Sequence, residues 1–295
     1  MNKKYSLEEY VNIVNEYLKT SIVDCDFGED IVHRAMLYSL SIGGKRIRPV
    51  LVLEFCRLCG GDIYKALPFA AAIEMIHTYS LIHDDLPCMD NDDMRRGMPS
   101  CHKKFGEEYA LLAGDGLLTR AFGVIAESQI AAESPDIAVK AVLELSKLAG
   151  ANGMIGGQVV DLRNEDKPCS LDVLRTMDSL KTGALIRCSA ILGVLAAKGS
   201  AQQYDSAVAF ADNLGHAFQI IDDILDVVGD EKELGKPIGS DADSNKSTYV
   251  TILGIDESRK NADELTNNAV NALEIFGEDG EFLRNLALNL ISRKN

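Results

Sequence analysis

The stretch Tyr204-Asp-Ser-Ala-Val208-Ala-Phe-Ala211-Asp-Asn-Leu214-Gly-His-Ala-Phe218-Gln219-Ile-Ile221-Asp222-Asp223-Ile-Leu225-Asp226-Val-Val228 points most directly to the architecture. Tyr204, Val208, Ala211, Leu214, Phe218, Ile221, Leu225 and Val228 recur at steps of three and four, which places them on one face of a long helix. Asp222 and Asp226 are four apart, and Asp223 and Asp226 three apart. The three carboxylates therefore converge on one side of that helix, beside the apolar face, with Gln219 one turn earlier. Carboxylates so close to a core face are costly unless paired or metal-bound. The polar edge of an amphipathic helix accounts for one such Asp and poorly for three.

Helical punctuation surrounds this segment. Ser6-Leu-Glu-Glu9 is a capping box, and Ser200-Ala-Gln-Gln203 repeats the pattern after Gly199, a candidate helix stop. Ser134-Pro135 sets a cap before a proline at a first helical position. Between these marks run stretches rich in Ala, Leu, Ile and Glu, with no run of alternating β-branched residues. The loop-like segments, Arg163 to Ser170 and Gly229 to Asn245, are too short for domain linkers. Length gives a prior of about two domains, at roughly 150 residues each. The pattern favours one all-α domain over residues 1–295, a bundle of about ten or more helices.

The formal net charge is −15 and the pI near 4.8. So acidic a surface repels nucleic acid, and any phosphate-bearing substrate needs local Lys, Arg or bound cations. Hydrophobic residues, 46% of the chain, suffice for a large core. Seven cysteines cannot all pair internally. Residues 1–19 lack the apolar centre of a signal peptide, and no uninterrupted apolar run approaches the roughly 18 residues of a spanning helix. The expectation is a cytoplasmic protein with reduced thiols and no transmembrane segment. Cys56-Arg-Leu-Cys59 has no second ligand pair and reads as two helical core cysteines.

The densest chemical signal is His83-Asp84-Asp85-Leu-Pro-Cys-Met-Asp90-Asn-Asp92-Asp93-Met-Arg95-Arg96-Gly97, reached directly from an apolar helix, Ala66 to Leu81. A solvated acidic loop tolerates such density through screening. A hard divalent cation relieves the repulsion too, and oxygen-only ligands suit Mg²⁺. Two acidic clusters on separate helices suggest a multi-metal site. Because Mg²⁺ completes its shell with water and phosphate, the implied ligand is a diphosphate.

Basic partners follow. In Gly43-Gly44-Lys45-Arg46-Ile-Arg48-Pro49, at a helix start, the glycines permit close backbone approach and Lys45 and Arg48 lie one turn apart. The spacing is not that of a P-loop. His77 lies two helical turns before Asp84 on the same face, and reads equally as a core histidine or as part of the site.

These motifs resemble the short-chain trans-isoprenyl diphosphate synthases, the farnesyl and geranylgeranyl diphosphate synthase family, over about residues 30–255. Asp84-Asp85-Leu-Pro-Cys-Met-Asp90 and Asp222-Asp223-Ile-Leu-Asp226 match its two Asp-rich motifs. Gly43 to Pro49, Leu112-Ala-Gly-Asp115, Gly156-Gly-Gln158, Lys181-Thr182 and Gly235-Lys236-Pro237 match others in order.

The resemblance implies an all-α bundle around a central active-site cavity, a homodimer, and Mg²⁺, three ions per site with diphosphate bound. Asp84, Asp85, Asp90, Asp222, Asp223 and Asp226 would be the metal side chains, Asp85 and Asp226 acting at one remove. Arg95, Lys181 and Lys236 would hold an allylic diphosphate, with Thr182 and Gln219 lining the developing carbocation. Gly44, Lys45, Arg48, His77 and Arg96 would hold isopentenyl diphosphate. Tyr79 and Ser80, five and four residues before Asp84, occupy the family's chain-length positions, and five residues of helix span about 7.5 Å. Tyr79 as a floor implies a C15 product, though an aromatic in a helix is usually plain core.

Geranylgeranyl and geranyl diphosphate synthases are the alternatives, and a non-catalytic subunit of a heteromeric synthase a more remote one. Asn91 and Ser100 depart from the family's usual Asp and Thr.

Overall fold

The computed structural model describes residues 3–22, 30–165, 167–228 and 247–291. The Gly229–Asn245 loop, and with it Lys236, lies outside the described residues. The fold is all-α, with helices α1 (Leu7–Ser21), α2 (Ile31–Ser41), α3 (Ile47–Leu58) and α4 (Leu67–Asp84) leading to a short hairpin, β1 (Met94–Arg95) and β2 (Met98–Pro99). There follow α5 (Cys101–Phe105), α6 (Glu107–Ala126), α7 (Gln129–Glu133), α8 (Pro135–Ala149), α9 (Met154–Asn164) and α10 (Leu171–Asp178). A π-turn, Ser179–Gly183, joins α10 to α11 (Ala184–Ala196). Beyond it come α12 (Ala201–Val228), α13 (Tyr249–Leu253), α14 (Ile255–Ala272), a 3₁₀ segment (Glu274–Gly280) and α15 (Glu281–Ile291).

Local chemistry sets the ends. Ser6 and Glu9 complete the reciprocal cap of α1, worth about 1 kcal/mol. Tyr10, Val14 and Leu18, one turn apart, bury that helix's inner face, at roughly 1.5–3 kcal/mol per side chain. Ser200 and Gln203 cap α12 in the same way. The stop after α11 differs from expectation: Lys198, not Gly199, takes the left-handed conformation (φ 55°). Lys198 N–H reaches Leu195 O at 2.9 Å and Gly199 N–H reaches Val194 O at 2.9 Å, so backbone hydrogen bonds of the closing turn compensate the strained residue.

The chain folds into two compact units, Met1–Leu143 with Leu192–Gly199, and Glu144–Ile191 with Ser200–Asn295. In the first, α4 packs on α6, α3 and α1, and is apolar on almost every side, as a core helix must be. In the second, α12 lies along α14, and Leu174, Ile220, Ile221, Ile224, Leu225, Tyr249 and Ala262 form a common cluster. The buried face of α12 carries Ala207, Phe210, Ala211, Leu214, Ala217, Ile221 and Leu225, whereas Tyr204, Val208 and Phe218 are half-buried and Val228 is exposed. The apolar stripe is thus rotated from the one the large side chains trace, because small residues let a neighbouring helix approach.

Two helical segments, Glu107–Ala126 and Leu171–Ala196, are long and apolar enough to cross a membrane by length and composition. Buried core helices meet that criterion as well, and 61% of the second is buried.

Candidate active site

The first acidic motif sits where α4 ends. Asp85 caps the helix, and the chain folds back so that Asp90 N–H donates to Asp84 O at 2.8 Å while Met89 and Asn91 N–H donate to Leu86 O. Pro87 and Cys88 form the exposed tip of this turn. Asn91 has a left-handed backbone, φ 52°, a conformation Asn tolerates well, which explains its presence there.

Three acidic side chains then meet different fates. Asp84 is half-buried, Asp90 exposed, and Asp85 only 2% exposed. Asp85 accepts from Arg95 Nε at 3.0 Å and from Arg95 Nη2. Burial pushes the Asp85 carboxyl up and the Arg95 guanidinium pulls it down, burial being the larger effect. Asp92 takes a further Arg95 contact at 3.0 Å, and Asp93 pairs with Lys103 at 2.8 Å. The hairpin turn Arg96-Gly97, with φ 53° and 76°, fits the geometry of a tight two-residue connection. It carries Arg95 and Arg96 beside the acidic turn.

A second cluster gathers cations. Arg96 Nη1 donates to Gly43 O, and its guanidinium lies against Gly44 so closely that a Cβ there would sit 2.5 Å from Arg96 Cζ. Gly44 (φ 124°) is therefore fixed by close approach as well as by backbone conformation. Arg48 Nη1 is 3.5 Å from His77 Nε2, and Arg48 Nε is buried with no hydrogen-bond partner among the described residues. Burial, then Arg48, Arg96, Arg46 and Arg95 in turn, hold His77 well below its ordinary pKa, so it is neutral at pH 7. Lys45 is exposed. An orphaned guanidinium N–H beside a neutral imidazole, under several arginines, suits an anion.

Arg46, to which the basic motif assigns no role, anchors this loop. It pairs with Glu74 at 2.5 Å, donates to Asn15 Oδ1 at 3.0 Å and meets Leu40 O. Both members of the Arg46–Glu74 pair are buried. Tyr79 is 5% exposed, its ring edge-on to His83 with centroids 5.7 Å apart, and its hydroxyl has no partner among the described residues. Burial, with Asp84, pushes that phenol up to about 12. Ser80 Oγ donates back to His77 O at 2.9 Å. His83 Nε2 lies 3.1 Å from Leu111 O, and a Cβ on Gly114 would strike its ring. That contact gives the Leu-Ala-Gly-Asp motif a packing reason.

The second acidic motif is graded in the same way within the other unit. Asp222 is exposed, Asp223 half-buried and Asp226 only 2% exposed. Tyr249 N–H donates to Asp223 Oδ2 at 2.7 Å, and α13, which Tyr249 opens, is itself capped by Thr248. The three carboxylates, expected to converge on one side of the helix beside its apolar face, differ in depth because a helix that buries one side spreads residues three and four apart across its boundary. Gln219 is half-buried on the same helix.

Lys181 and Thr182 ride on the π-turn, both half-buried. Lys181 Nζ pairs with Asp161 Oδ2 at 2.5 Å. Beneath the turn lies Gly157, where a Cβ would meet Lys181 N and sit 2.6 Å from Lys181 Cα. Asp178, 5% exposed, lies against the Tyr249 hydroxyl and the Gln219 amide; burial raises its pKa to about 7. Asp161, Asp178 and Tyr249 were invisible to motif reading, because each acts through a partner more than 15 residues away in sequence.

Among the described residues, no three His, Cys, Asp or Glu side chains form a cage able to hold a metal. Within the first unit Asp84 and Asp90, and within the second Asp222, offer oxygen donors of the kind hard cations take. The described cysteines are free thiols, with Cys56 buried and Cys59 half-buried.

The polyprenyl synthetase family model matches residues 29–275. The chain is 46% identical over 253 residues to the farnesyl diphosphate synthase of Geobacillus stearothermophilus, covering 85% of each. It is 47% identical over 252 residues to the large subunit 1 of the chloroplastic heterodimeric geranylgeranyl pyrophosphate synthase of Arabidopsis thaliana, covering 84% of this chain and 68% of that one. The apo crystal structure of an FPP/GFPP synthase from Zymomonas mobilis superposes with a TM-score of 0.86 at 33% identity, covering 97% of both chains.

Proposed function

This chain belongs to the polyprenyl synthetase family and is a prenyltransferase, and we propose that it joins isopentenyl diphosphate head-to-tail to dimethylallyl and then geranyl diphosphate, giving farnesyl diphosphate. The observation that carries the reading is the cation cluster in which half-buried Arg48 has a buried, unpartnered Nε beside neutral His77. In this reading Lys45, Arg48 and Arg96 bind the isopentenyl diphosphate, with Gly44 admitting it and His77 donating a hydrogen bond without adding charge.

Arg95, Lys181 and Lys236 bind the allylic diphosphate. Asp84, Asp90 and Asp222, the less buried carboxylates of the two motifs, would hold three Mg²⁺ together with water and diphosphate. Asp85, Asp223 and Asp226 orient the motifs through Arg95, through Tyr249 and from within the core. When bound, Mg²⁺ supplies Lewis-acid neutralisation of the departing diphosphate. The Thr182 hydroxyl and Gln219 amide turn their negative ends toward the allylic carbon as it becomes cationic. Asp161 fixes the Lys181 ammonium through their ion pair at 2.5 Å. Residues 1–295 act as one catalytic domain.

Tyr79, buried on α4 five residues before Asp84, blocks the growing tail at C15. A C20 product is the second reading, favoured by the 47% identity to a geranylgeranyl pyrophosphate synthase subunit, against 46% to a farnesyl diphosphate synthase. Incubation with isopentenyl diphosphate, dimethylallyl diphosphate and Mg²⁺, followed by product sizing, separates the two. A folded preparation that elongates nothing refutes the proposal.

A homodimer accompanies this reading. Ile155, Val159 and Leu162 form an exposed apolar stripe on α9, and Leu111 and Leu112 stand exposed on α6. Sedimentation at micromolar concentration tests it, and a monomer there removes it.

A further inference from the structure

Within the second unit, a cavity of about 270 Å³ opens between α10, α12, α13 and α14. Ile220, Leu265 and the buried Tyr249 make its apolar part, and Arg175 and Glu264 stand at its exposed edge. Neither Arg175 nor Glu264 has an ion pair or side-chain hydrogen bond among the described residues, with each other or with any neighbour. His216, Asn261 and Asn268, which also line the cavity, are likewise without side-chain hydrogen bonds there. Elsewhere on the chain exposed charges of opposite sign commonly pair, as Lys19 does with Glu16 and Lys140 with Asp136.

Two opposite charges held apart in one concavity complement a ligand that carries both signs. A simple anion would meet Glu264 and the chain's net charge of −15, and a simple cation would meet Arg175. The volume lies just below the roughly 300–1,000 Å³ of pockets for drug-sized ligands, so the occupant is a small molecule. Arg175 offers a planar fork to a carboxylate, Glu264 accepts from an ammonium, and Ile220 with Leu265 covers a short apolar chain. Asn261 and Asn268 add amide donors and acceptors at the edge.

We propose that this cavity binds a small zwitterion with a short apolar body, of the α-amino-acid class, its carboxylate on Arg175 and its ammonium on Glu264. The site is also a lever on the second acidic motif. Its inner wall is Tyr249, whose N–H holds Asp223 Oδ2 at 2.7 Å. An occupant that packs on Tyr249 favours the conformation in which Asp223 is held. This regulatory part rests on the proposed metal role of the Asp222–Asp226 motif, whereas the binding part does not.

Calorimetric titration of the full chain with L-leucine, 4-methylpentanoate and 3-methylbutylamine tests the binding, without any turnover. Saturable leucine binding is expected, with each single-charge analogue at least about tenfold weaker, the loss of about 1.4 kcal/mol. Arg175→Ala should weaken leucine and spare the amine; Glu264→Ala should weaken leucine and spare the carboxylate. No leucine heat at 50 mM, equal binding of the carboxylate alone, or leucine binding unchanged in both variants overturns the proposal. In the second arm, the Mg²⁺ concentration for half-maximal prenyl transfer should fall at least twofold with saturating leucine in wild type and not in Arg175→Ala. Binding without that shift overturns the regulatory part alone, and absent prenyl transfer under all conditions would instead count against the proposed activity.

Discussion

Gly157→Ala tests whether the π-turn is the part of the second unit that must be placed to sub-ångström accuracy. A Cβ at position 157 lies 2.6 Å from Lys181 Cα and nearer still to Lys181 N. Both are backbone atoms, so no side chain can swing aside. Restoring ordinary contact at 3.4 Å moves Lys181 Cα by about 0.8 Å and Lys181 N further still, carrying Lys181 and Thr182 with the turn. Misplacement by about 1 Å at a reacting centre costs roughly 10²-fold in rate. The overpacking itself costs about 1–3 kcal/mol of stability, a loss of several degrees in Tm for a chain of this size.

The expected outcome is a folded protein whose kcat falls about 100-fold with a much smaller change in KM for isopentenyl diphosphate. Steady-state kinetics with geranyl and isopentenyl diphosphates, beside circular dichroism and a melting curve, measure it. Gly123→Ala is the control. The atom nearest a Cβ there, at 3.2 Å, is Arg120 Nη1 at the end of a flexible side chain, so the change should be neutral or slightly stabilising. Gly157→Ala activity within threefold of wild type would refute the argument, since either the turn yields freely or Lys181 and Thr182 need no exact placement.

Asp178 makes a pH prediction. Its folded-state pKa of about 7 lies above the unfolded value of about 3.9, so the native state binds the extra proton between them. Its contribution to stability is present at low pH and lost as pH rises through 7. Asp178→Asn should therefore match wild type near pH 3, below the unfolded pKa, and exceed it at pH 8 by on the order of 2–4 kcal/mol, read from urea midpoints; equal midpoints at pH 8 would contradict it. Glu74→Ala leaves the buried Arg46 guanidinium without its 2.5 Å partner and should cost about 3–5 kcal/mol, with KM for isopentenyl diphosphate rising because the Gly43–Arg48 loop loses its anchor. Tyr79→Ala should lengthen the product beyond C15 on chromatography, and an unchanged product would remove Tyr79 as the floor.

Much was legible in the sequence because it is set locally. The capping boxes at Ser6 and Ser200, the apolar helix running into Asp84, and the all-α class follow from side chains that act within one or two turns of their own backbone. The acidic and basic motifs were equally plain, since their residues are contiguous. Yet contiguity said nothing about how deeply each carboxylate is buried or which neighbour it meets. Asp85 is occupied by Arg95 and Asp223 by the Tyr249 N–H, while Asp226 is buried. Those outcomes depend on the hairpin returning over α4 and on α13 docking against α12. The motif glycines show the same division. The sequence marks Gly44, Gly114 and Gly157, and only packing reveals that Arg96, His83 and Lys181 fill the space a Cβ would need.

The helices, their caps and the family's chemical residues could be read from the chain alone, because helix periodicity and capping are governed by neighbours along it. The charge states of His77 and Asp178, the pairing of Lys181 with Asp161, and the anchoring of Arg46 by Glu74 came only with the folded arrangement. Burial and Coulomb interaction depend on distance through space, and the partners lie far off along the chain: 20 residues for Lys181, 28 for Arg46 and 29 for His77.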